Sequence, residues 1–233
     1  MRSIGLLLVF AGCHQASLDA IDAPVVDTPD APANALGVIV PWSARPSLPG
    51  VLNDRITVSE ATFHISHLQI VGDAGPGDER TTRSRYSLSW NSLGPPAPEN
   101  FPNAPIGVYS KITIEMAPYA FGQSAYTIEG TWLELDDDRD FAASPRKEAL
   151  KPFRITDFAP LEATMDCDDT LPAGGAAMVP VRLQLLDIIA AIDFERLRED
   201  NGTLVLGAGD PQLQAFRAGL ARAFVNDQGP PSH

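Results

Sequence analysis

His64 and His67 stand three residues apart in the stretch Ala61-Thr62-Phe63-His64-Ile65-Ser66-His67-Leu68. Before them, Ala61, Phe63 and Ile65 place odd positions inward. After them, Leu68 and Ile70 place even positions inward. A parity change within one strand requires a bulge or a twist. It would turn both imidazoles to one face, where a copper or zinc ion could take them. The same spacing also fits two solvent-facing histidines, and two imidazoles still lack a third ligand. His14 and His233 lie near the two ends of the chain and join neither.

The other reactive groups favour packing over chemistry. Cys167 sits in Met165-Asp166-Cys167-Asp168-Asp169, where flanking carboxylates raise a thiol pKa and weaken the nucleophile. It reads as a small buried residue. The runs Asp136-Asp137-Asp138-Arg139-Asp140 and Asp166–Asp169 lack the ordered oxygen ligands and distal glutamate of a calcium loop. Both read as solvated loops. The chain holds no Gly-x-Ser-x-Gly elbow, no His-Glu-x-x-His and no phosphate-cradling glycine loop. No catalysis and no resident cofactor are expected. Trp42, Trp90 and Trp132, with Tyr86, Tyr109, Tyr119 and Tyr126, could stack on sugar rings. Trp90 and Trp132 share parity with Leu88 and Ile128, which favours core packing for both.

Charge narrows the partners. Seventeen basic against thirty acidic side chains give −13 in 233 residues. That balance opposes binding to nucleic acid, which needs a basic face, and polybasic attachment to anionic lipid. With 44 % hydrophobic residues the chain can bury a sizeable core.

These groups need elements to hold them, and the punctuation is that of a β protein. Turn clusters recur at Pro46–Gly50, Gly72–Gly77, Gly94–Pro98 and Pro172–Gly175. Short alternating runs lie between them. Val38 and Val40 lead to Trp42. Ile106, Val108, Ile112, Ile114 and Met116 share parity against Tyr109, Lys111, Thr113 and Glu115. Tyr126, Ile128, Gly130 and Trp132 form a third set, and Val179, Val181, Leu183 and Leu185 a fourth. The pattern predicts a mainly β fold, an antiparallel β-sandwich occupying 36–228 as a single domain. Closely spaced apolar residues predict a short helix near 186–197. Asp210 as cap, Pro211 at the first position, and Leu213, Phe216, Leu220 and Phe224 at helical spacing predict a C-terminal helix near 211–225. Residues 229–233 form a tail.

The beginning of the chain supplies an address. Arg2 precedes a short apolar run, Ile4–Phe10, then the small residues Ala11-Gly12 and Cys13, the parts of a secretory signal. Val9-Phe10-Ala11-Gly12-Cys13 resembles the lipobox of bacterial lipoproteins, with Phe10 where leucine is commonest. The resemblance implies a signal peptide over 1–12, a diacylglyceryl group on the Cys13 thiol and an acyl chain on its new amino terminus. Residues 13–35 are dominated by Asp, Ala and Pro and read as a solvated, extended tether. His14 stands where inner-membrane lipoproteins resemble one another in carrying Asp, so the implied location is the outer membrane.

The body carries a second likeness. Arg55–Leu68, a loop, and Pro105-Ile106-Gly107-Val108-Tyr109-Ser110-Lys111-Ile112 resemble a loose class of bacterial β-sandwich lipoproteins. That class includes the copper-associated MbnP-like proteins and carbohydrate-binding-like relatives. The expectation from sequence is therefore a lipid-anchored, extracytoplasmic binding or structural module of the cell envelope. A copper- or metal-binding lipoprotein using His64 and His67 is the alternative.

Overall fold

A computed structural model describes residues 37–73, 75, 78–135 and 148–227, all within one compact unit, Ala31–His233. The lipobox, the tether, the acidic run 136–140 and the tail 229–233 lie outside the described residues. The strands in chain order are β1 (Gly37–Val40), β2 (Trp42–Ala44), β3 (Gly50–Asn53), β4 (Ile56–Gly72), β5 (Thr82–Trp90), β6 (Glu99–Phe101), β7 (Gly107–Met116) and β8 (Tyr126–Leu135). They continue as β9 (Glu148–Asp157), β10 (Leu161–Leu171), β11 (Ala176–Met178), β12 (Val181–Leu183), β13 (Arg198–Asp200), β14 (Thr203–Leu206) and β15 (Phe224–Asn226). The helices are α1 (Leu186–Ala190) and α2 (Leu213–Leu220). No helix among the described residues is long and apolar enough to cross a membrane.

The fold is mainly β and sandwich-like, and β4 is its organising strand. Seventeen residues long, it pairs along one side first with β8, over Ile56–Phe63, and then with β7, over Ile65–Gly72. Its other side takes β3 and β5. The full path runs β10-β7-β4-β8-β9-β14-β13. Two register slips bend β4, one between Val58 and Glu60 against β8 and one between Ile65 and His67 against β7. Each extra residue re-aims the side chains that follow. Hence Phe63, Ile65, Leu68 and Ile70 are all buried although their parity changes.

The second layer consists of two three-stranded ladders, β11-β1-β6 and β15-β12-β2. Pro41 and Pro180 carry no amide hydrogen, so each interrupts its strand. Val179 N still donates to Ile39 O at 2.9 Å and Val181 N to Pro41 O at 3.0 Å, which carries the pairing across the break. The β1–β11, β2–β12 and β9–β14 pairs are parallel within an otherwise antiparallel fold. Phe63 joins the layers: its ring lies 5.9 Å from Trp90, 6.5 Å from Tyr126 and 5.4 Å from Phe224 on β15.

Four local expectations need correction. In β7 the parity slips after Tyr109: Tyr109 is buried, while Ile106 and Val108 are 44 % and 40 % exposed. The slip accompanies register shifts in both neighbouring strands, at Asp166/Asp169 and Val71/Gly72. The Tyr109 hydroxyl donates to Pro105 O at 2.6 Å, a tyrosine-corner bond that draws the ring inward. Asp166–Asp169 is strand, not loop: Asp166 and Asp168 point outward from β10, and Cys167 and Asp169 are buried. The expected helix near 186–197 ends at Ala190, and Asp193 is non-helical, so Phe194–Arg196 can form a separate 3-10 turn. The C-terminal helix spans Leu213–Leu220, and Phe224 instead pairs with Leu183 in β15. Asp210 caps its approach, accepting from Gln212 N at 2.8 Å.

Candidate functional site

His64 sits where β7 and β8 part company along β4. Its backbone N donates to Ala125 O at 2.8 Å, and its backbone O accepts from Ala117 N at 3.0 Å. Its Nδ1 lies 2.6 Å from Ser124 O. A carbonyl only accepts, so Nδ1 carries the hydrogen of this bond. The Tyr119 ring packs edge-on at 5.8 Å, and its hydroxyl meets Ser87 Oγ at 3.0 Å. His64 thus ties down the 117–125 loop, at whose tip Phe121 is fully exposed.

His67 follows the bulge and also leaves the core. Its Nδ1 lies 3.5 Å from Ser84 Oγ, and Glu115 stands opposite it on β7. The parity change therefore falls at Ser66, where the sequence places it. Among the described residues, no three His, Cys, Asp or Glu side chains converge on a point suited to a metal ion.

Cys167 is buried, and its Sγ donates to Tyr109 O at 3.4 Å. Burial, then the Asp169, Asp166 and Asp168 carboxylates, push its thiol pKa up to about 12. Sequence reasoning cites the carboxylates; burial is the larger cause. Trp42, Trp90 and Trp132 are 6 %, 1 % and 5 % exposed, so none offers a free face to a sugar. Trp132 is covered by an aromatic ring and a cation. Phe194 stacks on it at 5.5 Å and 11°, and the Arg55 guanidinium lies 5.0 Å from the ring centre.

Beside that stack the sandwich opens into a cleft of about 590 Å³. Trp132 and Leu204 face it from β8 and β14, and Phe194 and Leu197 face it from the turn after α1. Glu134, Lys151, Glu195 and Glu199 charge its walls. Lys151 Nζ is 2.9 Å from Glu134 Oε2 and 3.9 Å from Glu199 Oε2, and the Glu134 bond raises the Lys151 pKa. A smaller recess of about 200 Å³ shares Trp132, Phe194 and Glu195 and adds Asn53, Arg55 and Asp193. The apolar residues of the cleft are buried while Glu195 and Glu199 on its walls are exposed, so the surface it presents is mostly polar.

Sequence reasoning missed this cleft except for Trp132. A signal existed: Glu134 has the inward parity of Trp132, and a charge at an inward position near a strand end marks an open end of the core. The segment 191–197 gives no such signal, because it bends back to place Phe194 only in three dimensions. Comparison with protein-family models, characterised proteins and solved structures finds nothing that matches this chain.

Proposed function

We propose that this protein is a lipid-anchored binding module of the cell envelope, without catalytic function. Cys13 carries the lipid, residues 13–35 hold the body off the membrane surface, and the sandwich presents its end cleft. The observation that carries the reading is the order of the first 35 residues: Arg2, a short apolar run, a lipobox-like Val9–Cys13 and an Asp/Ala/Pro stretch. Diacylglyceryl and acyl chains contribute about 0.8 kcal/mol per buried CH₂ and hold a protein of net charge −13 at a lipid surface. His14 after the anchor supports the outer membrane as its location. One feature of the body supports binding over catalysis: the thiol of Cys167 is buried and its pKa is raised, which keeps it neutral.

The test is detergent phase partitioning of the protein expressed in a bacterium with lipoprotein processing. The wild-type chain enters the detergent phase, and Cys13→Ala leaves an uncut or aqueous form. An alanine variant that still carries lipid would overturn the reading.

A further inference from the structure

Among the described residues, the exposed aromatic side chains are Tyr119, Phe121 and Phe158, and all stand on two adjoining loops. Residues 117–125 join β7 to β8, and residues 158–160 join β9 to β10. Met116 pairs with Leu161, and Ala125 N donates to Asp157 O at 2.7 Å, so the loops leave the sheet side by side. Neither loop contains a charged residue, in a chain that is 20 % charged and carries −13. Asp157, just before Phe158, is paired with Arg217. The longer loop is held in shape. Its tip is a turn in which Gln123 N donates to Ala120 O at 3.2 Å. Gly122 takes φ +77° there, the sign that a type II turn needs at its third position. Phe121 precedes it and projects into solvent, while Tyr119 on Ser87 and His64 on Ser124 fasten the base. Exposed apolar surface gathered in one place marks an interaction site.

Resting on the lipid-anchor reading, we infer that these two loops dip into the bilayer interface and set which side of the body faces the membrane. The anchor keeps the body beside lipid without orienting it. Residues 13–36 span at most roughly 80 Å, against roughly 35 Å for the eleven residues of β10. The chain enters the fold at Gly37, opposite Ala176 and so just past the Leu171 end of β10, whereas the loops stand at its Leu161 end. A tether of that reach lets the far end of the strand meet the lipid. Charge then selects the face. An acidic body is repelled by anionic headgroups, and uncharged aromatic loops enter the interface without stripping water from a charge. Phenylalanine packs at the acyl-chain boundary and tyrosine at the headgroup level. The matching surface is a zwitterionic bilayer.

The test uses the lipidated full-length protein reconstituted in phosphatidylcholine vesicles, with and without bromine on the acyl chains. Trp42, Trp90 and Trp132 are buried, so a tryptophan introduced at an exposed site reports on that site above the wild-type background. Phe121→Trp and Phe158→Trp each shift their emission to the blue in vesicles and lose intensity to the brominated chains. High salt leaves both effects unchanged, because neither loop contributes a charge. Leu150→Trp, at an exposed position toward the other end of β9 from Asp157, stays red and unquenched. Reporters at 121 and 158 that remain unquenched on vesicle-bound protein would overturn the inference and leave the anchor standing. A blue shift without bromine quenching, as a protein surface over the loops would give, overturns it too, and so does equal quenching of Leu150→Trp. Protein that fails to float with the vesicles lacks the anchor, and the anchorage reading then falls with the inference.

Discussion

Replacing His64 and His67 one at a time by alanine separates their roles. His64→Ala deletes the 2.6 Å bond to Ser124 O and the edge-on contact with Tyr119. The bond contributes about 1 kcal/mol net and the ring contact about 0.5–1.5 kcal/mol. Together they predict a loss of about 2 kcal/mol. His67→Ala deletes only a 3.5 Å approach to Ser84, so its cost stays within about 0.5 kcal/mol. Urea unfolding gives both numbers from the shift in midpoint at constant slope. In a melting scan His64→Ala falls by about 4–8 °C, at about 2–4 °C per kcal/mol for a domain of this size. Equal, small losses would refute the loop-anchor account of His64. Equal losses of copper or zinc binding by the two variants would instead make the pair a metal site.

Two further predictions concern groups buried away from the cleft. Asp157 accepts from Phe158 N at 2.8 Å and Ala159 N at 3.2 Å and pairs with Arg217 of α2. Its side chain is 7 % exposed, so Asp157→Ala costs about 3 kcal/mol in urea unfolding by stranding Arg217; a loss below about 1 kcal/mol contradicts the docking of α2 through this pair. For Cys167, the raised pKa means that the folded state keeps its proton after the unfolded state has released one. Stability from this group is therefore full below the ordinary thiol value of 9.0 and declines as pH rises toward about 12. Cys167→Ala should flatten that decline relative to wild type, and the native thiol should resist iodoacetamide at pH 9 until urea unfolds the chain; ready alkylation of the folded protein would contradict its burial.

Much of the frame was legible because strands with one buried face advertise themselves by alternation. Tyr126, Ile128, Gly130 and Trp132 are inward as read, as are Val179, Val181, Leu183 and Leu185. The bulge at Ser66 was readable because apolar residues flank it on both sides. The slip in β7 was not, since Val108 and Tyr109 are both plausible inward residues and only the Pro105 bond decides between them. Phe224 fits helical spacing and strand parity equally, and pairing with Leu183 decides its state. The cleft was least legible. Its members come from β8, β9, β13, β14 and the turn after α1, and no periodicity within one segment records a contact between five.

The central claim is that the chain is cut before Cys13 and held to the envelope by lipid on that residue. Mass spectrometry of the amino-terminal peptide of membrane-purified protein tests it most directly. The account predicts a peptide beginning at Cys13 whose mass includes a diacylglyceryl group and an added acyl chain, and no peptide containing Met1–Gly12. An amino-terminal peptide that begins elsewhere, or an unmodified Cys13, would contradict it.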